Sequence, residues 1–164
     1  MYICPFAFYD MVGHTIIEFA FEDKKTICLT VEGEQYIGKD YSFWTALYPG
    51  YRLRYVWWSQ RDIIGLRIQT RGDRLSKYSL HIDKKILQKL FADLVEETNY
   101  SKNHTMPYGL IANNCTSSIR KVARKSLPIP KSHRSLVFNK FLPTFLHSLG
   151  IIKLREKEII KNNS

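Results

Sequence analysis

The stretch that decides the fold is His14-Thr15-Ile16-Ile17-Glu18-Phe19-Ala20-Phe21, followed by Glu22-Asp23-Lys24-Lys25 and then Thr26-Ile27-Cys28-Leu29-Thr30-Val31. Two β-rich runs flank four polar, charged residues, a pattern that predicts an antiparallel hairpin with its turn near Asp23 to Lys25. Further along, Leu53, Tyr55 and Trp57 alternate with Arg52 and Arg54, and Ile64, Leu66 and Ile68 alternate with Arg67 and Gln69. Each alternation predicts a strand with one buried face. Arg71-Gly72-Asp73 predicts a turn, and Tyr78, Leu80 and Ile82 a short fifth strand.

At Asp83 the period changes. Its carboxylate suits a helix N-cap, and Ile86, Leu87, Leu90, Leu94 and Val95 recur at helical spacing, which predicts a helix to about Thr98. Asn114 caps a second helix with Ser118, Ile119, Val122 and Ala123 on one side and Arg120, Lys121, Arg124 and Lys125 on the other. Pro128 and Pro130 end it. Pro143 starts a last helix and Gly150 closes it, with Phe145, Leu146 and Leu149 inward. The expectation is an α+β domain, an antiparallel sheet of about five strands packed by helices, over residues 1–164 with a basic C-terminal extension from about residue 128.

Composition limits the function classes. The chain has 164 residues, a formal charge of +10 and 45% hydrophobic residues, enough apolar material for one packed domain, so disorder is excluded as the main state. No apolar run reaches the roughly 20 residues of a membrane-spanning helix, and no secretory leader is read at the N-terminus, where Asp10 interrupts Met1 to Val12. Between Thr98 and Arg155 there is no Asp or Glu, while Lys102, Arg120, Lys121, Arg124, Lys125, Lys131, Arg134, Lys140, Lys153 and Arg155 supply the positive excess. Such a segment attracts an anionic partner or forms a solvated basic face.

Three cysteines, Cys4, Cys28 and Cys115, are an odd count without a Cys-x-x-Cys pair, and no two of the five histidines share helical ligand spacing. A disulfide framework and a metal site are therefore not expected, nor is a cofactor. Cys115 differs from the other two because it opens a capped helix, where the backbone dipole lowers a thiol's pKa. Cys4 and Cys28 read as core. A nucleophilic thiol needs a base, and His14, His81, His104, His133 and His147 are the choices. His14 follows Gly13 at the start of the first hairpin strand, where the missing side chain would leave room for a substrate. In the hairpin Glu32 falls opposite or diagonal to His14, and Glu34 is the alternative if the register slips. Arg61, Asp62, Arg67 and Arg71 form a second polar group, read as ion pairs holding a sheet edge.

The stretches Val12-Gly13-His14-Thr15, Phe21-Glu22-Asp23, Thr30-Val31-Glu32, Gln60 through Arg67, Tyr78 to Val95, and Tyr108 through Asn113-Asn114-Cys115-Thr116 resemble the Lnb N-terminal periplasmic domain family. That family is linked to lipoprotein N-acylation, and its layout is similar to circularly permuted papain-like thiol enzymes, in which the His strand precedes the Cys helix. The resemblance implies Cys115 as nucleophile, His14 as general base, Glu32 as the residue orienting it, and Tyr108 and Asn114 as substrate-binding residues, Tyr108 near the oxyanion. It also implies a periplasmic or cell-envelope location. The expected function is acyl transfer through a Cys115 thioester, with an amine acceptor (an N-acyltransferase) or water (an amidase, peptidase or esterase). Its partners would be an acyl-bearing lipoprotein or peptide and an anionic membrane surface docked by the basic segment and Phe138 to Leu149. The competing expectation is a non-catalytic basic module on an anionic membrane or nucleic acid. Nucleic acid ranks lower, because the aromatics near Arg52 and Arg54 alternate as any packed sheet does.

Overall fold

A computed structural model describes residues 1–7, 11–34, 51–109, 111 and 113–161. The hairpin forms where its sequence places it: β2 (Val12–Ala20) pairs antiparallel with β3 (Thr26–Glu34) from Ala20↔Thr26 to Ile16↔Thr30. β4 (Tyr51–Ser59) pairs with the other edge of β3 along its whole length. The loop expected between the hairpin and Arg52 lies outside the described residues.

The sheet is wider than the sequence suggested. β1 (Tyr2–Ala7), β5 (Leu75–Lys77), β6 (Pro107–Tyr108) and β7 (Glu158–Ile160) complete seven antiparallel strands in the order β6-β4-β3-β2-β1-β5-β7. The four added strands are short or lack a clean alternation, and pairing with neighbours rather than local pattern makes them strands. Arg71 to Asp73 does turn, with Gly72 at φ +67°, a left-handed conformation that favours glycine. The short strand expected at Tyr78, Leu80 and Ile82 does not form: β5 ends at Lys77, and Leu80 contributes only an isolated bridge to Ile152.

A second expectation is overturned at Ile64 to Ile68. That segment is helical: α1 (Gln60–Gly65) runs directly into a π-helical turn, Leu66–Thr70. Ser59 caps it, accepting from the Asp62 N–H at 3.1 Å and donating to the Asp62 carboxylate at 2.7 Å. Ile64 and Ile68 fit a spacing of four as well as an alternation, and the cap settles the choice.

α2 (Lys84–Asn103) starts at its Asp83 cap and continues past Thr98. α3 (Cys115–Ala123) begins at Asn114, which forms a capping box with Ser117. α4 (Leu142–Ser148) carries Pro143 in its first turn.

Both faces of the sheet are covered, and successive residues serve opposite layers. Ile3, Ile17, Phe19, Leu29, Val31 and Leu53 pack with Leu90 and Leu94 of α2, Ile119 and Val122 of α3, and Leu142 and Leu146 of α4. Tyr2, Cys4, Ile16 and Cys28 face the other way, onto Ile63, Ile68 and Leu75. The segment beyond residue 128 enters this architecture, with Leu136, Leu142, Leu146, Ile151 and Ile152 in the main core and β7 on the sheet.

Candidate active site

The last pair of the β2–β3 ladder is Ile16↔Thr30, yet β2 runs back to Val12 and β3 runs on to Glu34 beside β4. The two strands therefore part beyond that pair, and β2 backbone groups there have no strand partner on the β3 side. Cys115, at the first position of α3, enters this opening. Its Sγ lies 3.9 Å from the Gly13 carbonyl, and the Thr15 N–H donates to it. A network behind the helix start holds it there: Thr15 Oγ1 and Thr116 Oγ1 are 2.8 Å apart, and Asn139 Nδ2 donates to each at 2.8 Å.

His14 is buried on β2 and hydrogen-bonded to the Cys115 thiol. Its Nε2 contacts Thr30 Oγ1 and lies 3.1 Å from Glu32 Oε1. The hairpin register thus brings Glu32 to His14, while Glu34 turns outward and pairs with Arg54 at 2.7 Å. Alternation along β3 puts Thr30 on the same side as Glu32, where its hydroxyl also lies 3.4 Å from Glu32 Oε1.

The electrostatics follow from this geometry. Burial opposes ionisation of the Cys115 thiol, but the charge and hydrogen bond of His14, with the Thr15 N–H, outweigh it and lower its pKa. Burial would likewise push His14 down, yet the Cys115 thiolate and Glu32 carry it up to about 9. Glu32 also resists the effect of burial, because His14, Arg67 and Arg71 hold its carboxyl below the usual range. Each shift favours the charged form of its group: thiolate for Cys115, imidazolium for His14 and carboxylate for Glu32.

The remaining histidines lie elsewhere. His81 pairs with Glu156 at 2.7 Å, His104 stacks on Tyr100, His133 stacks on Phe145, and His147 Nδ1 contacts the Ile152 carbonyl at 3.0 Å. Gly13 has a different use from the one expected. A Cβ there would meet the Cys4 carbonyl oxygen at 2.7 Å, so the missing side chain admits β1 rather than a substrate.

A family model for the Lnb N-terminal periplasmic domain matches residues 6–147. The chain belongs to that family. Comparison with curated proteins and with solved structures gives no match. The Lnb family is one of periplasmic domains, and among the described residues no helix is long and apolar enough to cross a membrane.

Two further residues of this Lnb-family domain have well-defined places. Asn114 is buried, with Oδ1 accepting from the Ser117 N–H at 2.8 Å and Nδ2 donating to the Leu136 carbonyl at 2.7 Å. These bonds tie the helix start to the chain that follows Pro130. Tyr108 is buried on β6, and its ring packs over Gly33, where a Cβ would come within 2.8 Å of it. Among the described residues, no group of three His, Cys, Asp or Glu side chains could hold a metal ion. An apolar cavity of about 70 Å³ lies behind Thr15 and Thr116, lined also by Ile17, Leu90, Ile119 and Leu146.

Thr15, Thr30, Thr116, Asn139 and Arg67 were not singled out by sequence as parts of the site. Thr15, Thr30 and Thr116 flank the named residues, and strand alternation alone could have placed Thr30 with Glu32. Nothing local marks Asn139. Arg67 was read as a sheet-edge ion pair, but it is 4% exposed and reaches Glu32 at 3.3 Å.

Proposed function

We propose that this domain is a cysteine-dependent acyl-transfer enzyme with a permuted papain-like arrangement, in which the His strand precedes the Cys helix. The observation that carries the reading is the contact of a buried thiol with His14, whose other neighbours are Glu32 and Thr30. With Nε2 engaged by Glu32 and Thr30, this reading assigns Nδ1 to the sulfur. The Cys115 thiolate attacks a carbonyl carbon, and backbone N–H groups at the start of α3 receive the developing oxyanion. As the carbonyl carbon's bond to the leaving group breaks, the His14 imidazolium gives its proton to that alcohol or amine. A thioester on Cys115 remains. His14 then takes a proton from the acceptor, an amine or water, whose attack releases the thiolate and closes the cycle.

The acidic-free, basic segment from Thr98 to Arg155 supports action at an anionic membrane surface. Family membership supports a lipoprotein or peptide acceptor in the cell envelope.

The test is intact-protein mass spectrometry after incubation with p-nitrophenyl octanoate, alongside alkylation by iodoacetamide. The expected result is one octanoyl adduct on Cys115, discharged by hydroxylamine, and alkylation that slows sharply in His14→Ala. Absence of the adduct together with equal alkylation of both proteins overturns the reading.

A further inference from the structure

Arg67 is a buried cation at an uncommon place in the backbone. It lies in the π-helical turn after α1, where the Arg71 N–H donates to the Leu66 carbonyl five residues back at 3.2 Å. Such turns are rare and are frequent at functional sites. The turn lets Ile68 enter the smaller core while the guanidinium, from the same turn, crosses to β3. Its Nη2 meets Glu32 Oε1 at 3.3 Å, the same oxygen that His14 Nε2 meets at 3.1 Å. On its other side Nη1 is 3.7 Å from Asp73, and Nε has no hydrogen-bond partner among the described residues. Nucleophile, imidazole, carboxylate, guanidinium and second carboxylate form one row of alternating charge.

We propose that Arg67 is a positioning residue of the thiol site: by holding the Glu32 oxygen that His14 also uses, it fixes that carboxylate and offsets its charge, so that His14 can release its proton. The proposal rests on the acyl-transfer reading. Without Arg67, the partly exposed Glu32 would grip the imidazolium more tightly, and an acid held too tightly is a poor proton donor to a leaving group. Sharing one oxygen between two cations weakens that grip while keeping the ring oriented. The groups that bear on His14 are Cys115 from α3, Glu32 and Thr30 from β3, and Arg67, Arg71 and Asp73 from the turn, with Cys4 of β1 opposite it in register.

The experiment follows the His14 imidazole resonance against pH in protein carrying isotopically labelled histidine, assigned by its loss in His14→Gln. In Arg67→Met the titration midpoint should rise by about half to one pH unit, since a nearby cation is gone. Arg67→Lys keeps the charge and should restore most of the wild-type midpoint. Asp73→Asn leaves the guanidinium less neutralised and should move the midpoint down, which keeps the test alive if Arg67→Met does not fold. Unmoved midpoints in the folded variants, or a rise in Asp73→Asn, overturn the role of Arg67. Cys115→Ser separates the two readings. If it leaves the wild-type His14 titration unchanged, the thiol–imidazole pair itself fails, whatever Arg67 does.

Discussion

The start of α3 and the middle of the sheet each bury free thiols, and they treat them in opposite ways. Cys4 on β1 and Cys28 on β3 are fully buried among Tyr2, Ile16, Ile63 and Leu75, and burial pushes both thiols up to about 12. Cys115 is 4% exposed, hardly more open, yet its pKa goes down. Burial is common to all three, so burial does not make the difference. An imidazole in contact, itself backed by a carboxylate, does. The comparison shows why a helix start matters here chiefly as a placing device. It delivers the sulfur to the opening between β2 and β3, where His14 waits.

The contrast can be broken most directly at the sulfur. Cys115→Ser should abolish iodoacetamide labelling of the native protein at neutral pH, whereas Cys4→Ala and Cys28→Ala should leave it intact, as read by peptide mass spectrometry. Next in size is His14→Ala, which turns Cys115 into a thiol like the other two. Its labelling rate at pH 6.5 should fall by about 100-fold. The pH profile carries the sign of the same claim. Below about 9 the imidazolium keeps its proton and supports the thiolate, so wild-type labelling should stay nearly level from pH 7 to 8.5. In His14→Ala it should climb with pH across that range, as an unassisted thiol does.

Gly13→Ala tests the backbone under the site. Its Cβ would press on the Cys4 carbonyl oxygen at 2.7 Å, and the overpacking should cost about 1–3 kcal/mol in urea unfolding. A smaller change is expected from Glu32→Gln, which keeps shape but removes the charge behind His14. Labelling should slow by about tenfold. Glu34→Gln, two residues on, removes only an exposed pair with Arg54 and should change neither rate nor stability measurably. A larger effect at Glu34 than at Glu32 would mean that the register places the wrong carboxylate on the imidazole.

Much of this was legible in the residues because the signals were local. The four charged residues between two β-rich runs gave the hairpin, and the hairpin register carried Glu32 to His14. Asp83 and Asn114 marked helix starts by the hydrogen bonds their side chains make. The misreadings occur where two periods fit the same few residues. Ile64 to Ile68 satisfies an alternation and a helical spacing equally, and only Ser59 with Asp62 tips it to a helix. The outer strands β6 and β7, and β5 beside β7, are two or three residues long, too short to show a period at all.

The amino-acid order by itself determined the hairpin and the capped helix that begins at Cys115, since each depends on near neighbours, and it placed Glu32 within the hairpin's reach of His14. Tertiary structure alone decided that β2 and β3 part beyond Ile16↔Thr30, that the sulfur fills that opening, and that a π-turn sends Arg67 to Glu32. Those outcomes depend on groups far apart along the chain, held together by strand pairing and by the Thr15, Thr116 and Asn139 hydrogen bonds. No local pattern encodes such distances, because they are set only when the two layers close on the sheet.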